Sequence, residues 1–157
     1  MKKVLFAASE AVPFIKTGGL ADVVGSLPKA YNRDEFDVRV VLPKYRVIPE
    51  HFQQQMEYMT NFYINMAGRM IYVGVFQMML DGVTFYFIDN EYYFCGDRIY
   101  EDGLWDLEKF AYFSKAALTM LCVIDFRPDI IHCHDWQTGL MPVYLKNEFW
   151  DSSSYSD

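Results

Sequence analysis

The chain has 157 residues, enough for one domain, with 52% hydrophobic and 22% charged residues, a soluble globular profile. Its net charge of −7, from 14 Lys+Arg against 21 Asp+Glu, excludes a general nucleic-acid backbone binder, which needs a basic surface. The three cysteines are odd in number and form no CxxC pair, so reduced thiols in a cytoplasmic protein are expected rather than a disulfide framework. No apolar run approaches the length of a membrane span, and no membrane partner is expected.

Val4 to Ala8 is a continuous apolar run and predicts a strand buried on both faces. Ser9-Glu10 interrupts it, which argues against a signal peptide. A loop follows through Pro13 and the pair Gly18-Gly19. Leu20, Val23, Val24 and Leu27 then recur at helical spacing, and this helix is expected to kink or end near Pro28. Asp37 to Pro43 predicts the next strand. A strand, a glycine loop, a helix and a strand make a βαβ unit, and hence an α/β fold with a Rossmann-like parallel sheet flanked by helices.

Phe62 to Met66, Met70 to Met79 and Val83 to Ile88 read as an antiparallel β-hairpin insertion, punctuated by Gly68 and by Asp81-Gly82. Asn90 to Gly103 reads as an aromatic, polar loop. Leu107, Phe110, Ala111, Ser114, Ala117, Leu118 and Leu121 follow helical spacing, with Glu108, Lys109 and Lys115 off the stripe. Asp129 to Cys133 predicts a short buried strand ending in His134-Asp135-Trp136, and Trp136 to Asn147 a helix. Residues 151–157 read as a polar loop. A domain of this kind seldom stops there, so residues 1–157 are expected to be part of a longer chain.

The segment Lys16-Thr17-Gly18-Gly19-Leu20-Ala21-Asp22 leaves a strand and enters a helix. Amides at a helix N-terminus attract anions, two glycines let backbone approach a ligand, and Lys16 adds a point charge. The pattern suits a diphosphate, though it matches neither GxxxxGK[ST] nor GxGxxG; an ordinary turn with a solvated lysine fits it equally. Asp22 fits a helix-start acid somewhat better than a substrate contact. His132-x-His134 could chelate, but no third ligand is evident, so no metal is expected. Trp136 fits packing better than sugar stacking.

Ser9-Glu10 with Pro13, then KTGGLADVVGSLP over 16–28, DVRVVLP over 37–43 and DIIHCHDWQTGL over 129–140 resemble the bacterial glycogen synthase and starch synthase family in order and spacing across the chain. The resemblance implies a glycosyltransferase of the two-domain GT-B type, of which residues 1–157 would be part of the N-terminal, acceptor-side domain. It implies retaining transfer of glucose from ADP-glucose to the non-reducing 4-OH of an α-1,4-glucan in glycogen biosynthesis, with no cofactor. On it, Asp135 faces the glucosyl site as the catalytic acid, Lys16 contacts the diphosphate beside Gly18 and Gly19, and Glu10, Tyr100, Asp22 and His134 are substrate-binding candidates. Lys109 stands where the family usually has Arg, and Trp105 where many members have an acid. A further histidine and the second domain's phosphate-binding pair and glutamate lie outside residues 1–157, so this chain alone is expected to be inactive. The alternatives are another GT-B transferase of the sucrose or trehalose type, or a non-catalytic Rossmann-like module.

Overall fold

A computed structural model describes residues 1–149 and 155. Six strands form one mixed sheet: β1 (Lys2–Ala7), β2 (Phe36–Pro43), β3 (Glu57–Met66), β4 (Arg69–Leu80), β5 (Val83–Asp89) and β6 (Ile130–Cys133), in the order β3-β4-β5-β2-β1-β6. β1 pairs in parallel with β2 and β6, and β2 with β5. β1 lies inside the sheet with helices around it, and Leu5, Phe6 and Ala7 are fully buried, which explains the unbroken apolar run. The parallel strands end together, so Ala8–Glu10 and His134–Asp135 emerge at one edge. Ligands of open α/β sheets bind at that edge.

The hairpin insertion is present, and it is also an extension of the parallel sheet. β4 pairs antiparallel with β3 and with β5, while β5 is itself the parallel neighbour of β2. Two-residue turns set the register. Ala67-Gly68 and Asp81-Gly82 all have positive φ, the geometry that matches strand twist.

Helix α1 (Gly19–Ala30) ends two residues past Pro28, near the expected point, but differs from expectation in its buried face. Its buried stripe is Ala21, Val24, Gly25 and Pro28, one step round from the predicted stripe, and Val23 and Leu27 are 48% and 37% exposed. Close packing selects the small residues. A Cβ on Gly25 would lie 2.5 Å from the Val12 carbonyl oxygen, so glycine lets the helix sit directly on the loop after β1.

The predicted loop 90–103 contains a short helix, α2 (Glu91–Phe94), whose first turn Asn90 caps by accepting from the Tyr93 amide. Helix α3 (Leu104–Val123) buries the predicted stripe except Leu107, which is 56% exposed, and Ala111, which is half-buried. Lys109, expected off the stripe, is 1% exposed. The predicted helix 136–147 divides into a 3₁₀ turn, Trp136–Thr138, and α4 (Met141–Glu148), with Gly139 between them. The expectation of a polar loop at 151–157 lies outside the described residues, apart from Tyr155.

Gly25→Ala should destabilise the fold by about 1–3 kcal/mol, because the added methyl overpacks the Val12 contact although alanine favours helix. Urea unfolding measures this, and unchanged stability would contradict the close approach.

Candidate active site

The loop between β1 and α1 is organised by Glu10. This acid is 3% exposed, and its carboxylate accepts from the Thr17 amide at 2.5 Å and from the Thr17 hydroxyl at 2.9 and 3.1 Å. It is therefore a buried, hydrogen-bonded acid and not a solvated loop acid. Charge-assisted bonds of this kind are about twice as strong as neutral ones, and they fix the backbone that presents Lys16.

Lys16 and Asp22 form a bidentate contact, with distances of 2.8 and 2.7 Å, on side chains 51% and 53% exposed. Asp22 thus holds the ammonium rather than capping the helix. Gly18 is the N-cap, and among the described residues no side chain caps the first turn. Its amides are left for an outside acceptor. Neither Gly18 nor Gly19 has positive φ, and a Cβ at either would meet nothing within 4 Å. The fold itself does not demand glycine at these two positions; they border open space.

At the end of β6 the backbone is strained. Asp135 has φ 59° and ψ −174°, a region nearly reserved for glycine that costs about 1–3 kcal/mol. The strain is held by Thr138, whose hydroxyl donates to the carbonyl oxygens of His134 and Asp135 at 2.9 and 3.3 Å. It is held as well by the His134 amide, which donates to Ala7 at 3.0 Å. The Asp135 side chain is exposed and makes no hydrogen bond or ion pair among the described residues.

Tyr100 joins the two loops. Its phenol oxygen lies 2.7 Å from the Ser9 hydroxyl and accepts from Gln137 Nε2 at 3.0 Å. Burial, then the negative charge of Glu10, pushes the phenol up to about 12, so it stays protonated at neutral pH. Ser9 and Gln137 were not singled out by the sequence, although both lie inside the motifs that carry the resemblance. Trp136 stands edge-on to Phe110 at 5.4 Å and remains 54% exposed, so it packs and faces solvent at once.

His134 and His132 lie 4.2 Å apart between ring centroids, and both contact Phe6. Burial and the neighbouring His132 push the His134 imidazole down to about 4, and its Nε2 has no hydrogen-bond partner among the described residues. Among the described residues, no group of three His, Cys, Asp or Glu could hold a metal.

Residues 3–157 match the sequence model of the starch synthase catalytic domain. The chain belongs to the starch synthase catalytic domain family. Within that family it is 62% identical over 155 residues to the glycogen synthase of Lachnospira eligens and 58% identical over 155 residues to that of Lachnoclostridium phytofermentans. Both alignments cover 99% of this chain and 32% of the relative, so the chain spans about a third of the length of the curated relatives it matches. The catalytic domain of starch synthase IV from Arabidopsis thaliana, solved with ADP and acarbose bound, superimposes with a TM-score of 0.83 at 30% identity, covering 95% of this chain and 31% of that one. The six-stranded sheet with its β3–β4–β5 antiparallel portion thus matches the fold of part of a starch synthase catalytic domain.

The His134 environment predicts a pH effect. The unfolded imidazole binds its proton near pH 6.5, the folded one only near 4, so the unfolded state holds more protons between them. Stability should fall as pH drops from about 6.5 to about 4 and this contribution should level off below. Solvent screening of the half-buried ring limits the loss to on the order of 1 kcal/mol. Urea unfolding at pH 7 and pH 4.5 should show a smaller pH-dependent loss in His134→Gln; equal losses would contradict the assignment.

Proposed function

We propose that this chain supplies one wall of the donor site of a glycogen (starch) synthase, a hexosyltransferase that moves glucose from ADP-glucose to the non-reducing 4-OH of an α-1,4-glucan with retention. The observation that carries the reading is the open space over Gly18 and Gly19 at the uncapped start of α1, beside the Lys16 ammonium. A diphosphate there meets first-turn amides and a cation without a Cβ in its way. The Lys16–Asp22 pair is exposed, and such pairs contribute only about 0–1 kcal/mol, so Lys16 exchanges Asp22 for phosphate at little cost. Charge set out in advance around the departing ADP lowers the barrier to its release.

In this reading Asp135, whose carboxylate has no partner among the described residues, faces the glucosyl group as the catalytic acid. Tyr100 and His134 line the glucose side. Glu10 acts through Thr17 on the phosphate loop, and Asp22 through Lys16. The chain forms the acceptor-side part of an N-terminal GT-B domain, and a C-terminal nucleotide domain of the same protein closes the site. The partners are therefore ADP-glucose, the glucan and that second domain. The three free thiols among the described residues, Cys95, Cys122 and Cys133, fit the cytoplasm. Among the described residues, no helix is long and apolar enough to cross a membrane.

In the full-length protein, Lys16→Ala should lower kcat/KM for ADP-glucose by on the order of 10²-fold. Gly19→Ala should leave stability within about 1 kcal/mol of wild type, since the methyl meets nothing, yet lower kcat/KM as well. Full activity in both variants would sink the role given to this loop. Residues 1–157 alone should transfer no glucose, and measurable transfer would contradict the need for the second domain.

A further inference from the structure

Tyr100 sits between two residues whose backbones are tied to the same buried ion pair. Lys109 Nζ donates to the carbonyl of Ile99 at 2.7 Å and pairs with Asp106 Oδ1 at 2.9 Å. Asp106 in turn accepts from the amide of Glu101, at 2.9 and 3.1 Å, and from the amide of Asp102 at 2.9 Å. Lys109 is 1% and Asp106 4% exposed. Lys109 and Asp106 are one helical turn apart on α3, a rigid element packed against the 3₁₀ turn at Trp136–Thr138. Replacing such a pair with apolar residues is often neutral or stabilising, so burial of two charges is weak evidence for a stabilising role. What this pair adds is position: it grips the chain on both sides of one tyrosine.

We infer that the buried Lys109–Asp106 pair is a positioning device for Tyr100, holding the phenol where Ser9 and Gln137 meet at the ligand edge of the sheet and so setting how the glucosyl group of the donor is held. The inference rests on the transferase reading for its consequence, and on the contacts alone for the clamp. Lysine suits the position because its compact ammonium reaches the Ile99 carbonyl and Asp106 together, with Glu101 at 4.0 Å completing the surroundings. A flat guanidinium would present a wider fork to the same site.

The test uses the full-length protein and the paired change K109M/D106L, which removes both charges so that neither is left buried alone. Hydrogen exchange of the peptide spanning 96–103 should accelerate by about 10-fold or more while the sheet keeps its protection. Glucose transfer should lose on the order of 10²-fold in kcat/KM, as misplacement of a positioning group by about 1 Å can do. The same change made on a Tyr100→Phe background should cost less than about 3-fold more, because the clamp acts through that phenol. Unchanged exchange at 96–103, or additive losses in the double background, would overturn the inference. If the paired variant does not fold, Asp106→Asn, which keeps the shape and one acceptor oxygen, is held to the same outcomes. If wild type transfers no glucose, the transferase reading fails and with it the consequence for the donor, while the exchange measurement still decides whether the clamp exists.

Discussion

The buried carboxylate of Glu10 is the contact on which the candidate site depends. It sits just past β1, a strand inside the sheet, and takes both the amide and the hydroxyl of Thr17. An acid at 3% exposure is stable only when its oxygens are satisfied by donors. Thr17 therefore has one place to be, and Lys16, Gly18 and Gly19 follow from it. The Gly25 contact with Val12 seats α1 on the same loop from the other side. Strand, loop and helix are locked together before any ligand arrives, which is the form of preorganisation that favours binding of a fixed, charged group.

The second loop is built on opposite terms. Glu10 removes freedom by satisfying a charge, whereas Asp135 keeps a costly backbone and an uncommitted carboxylate. Thr138 and the Ala7 carbonyl hold that backbone in place. Tyr100 couples the two regions through Ser9 and Gln137, so the edge of the sheet behaves as one unit. In the proposed reaction the first loop manages the phosphates and the second the sugar, a division that needs both to keep a constant separation.

The sequence made the frame legible because the frame is local. β1, β2, the Asp81-Gly82 turn and β6 are each announced by a run of adjacent residues. The glycine pair and the acid after β6 were legible as chemistry, and the family resemblance gave them their roles. The misread features depend on how the folded chain brings partners together rather than on hydrophobic runs. The buried stripe of α1 consists of Ala21, Val24, Gly25 and Pro28 because Val12 must fit against it, and no hydrophobicity count favours Gly25 over Leu27. Glu10 was legible only as a substrate-binding candidate because Thr17, seven residues on, is an unremarkable partner until the turn closes. Lys109 read as solvent-facing because lysine is seldom buried unpaired; its partner Asp106, three residues earlier, was the available signal. The partners of Tyr100 lie 91 and 37 residues away and could come only from the fold.

The central claim is that this scaffold serves glucose transfer from a nucleotide sugar. The most direct measurement incubates the full-length wild-type protein with ADP-[¹⁴C]glucose and glycogen, then digests the precipitated polymer from its non-reducing ends with an exo-acting α-1,4-glucanase. The account predicts that label enters the polymer with time and is released in the first rounds of digestion, as an α-1,4 addition at chain ends requires. No incorporation, or label that resists α-1,4-specific digestion, would contradict it.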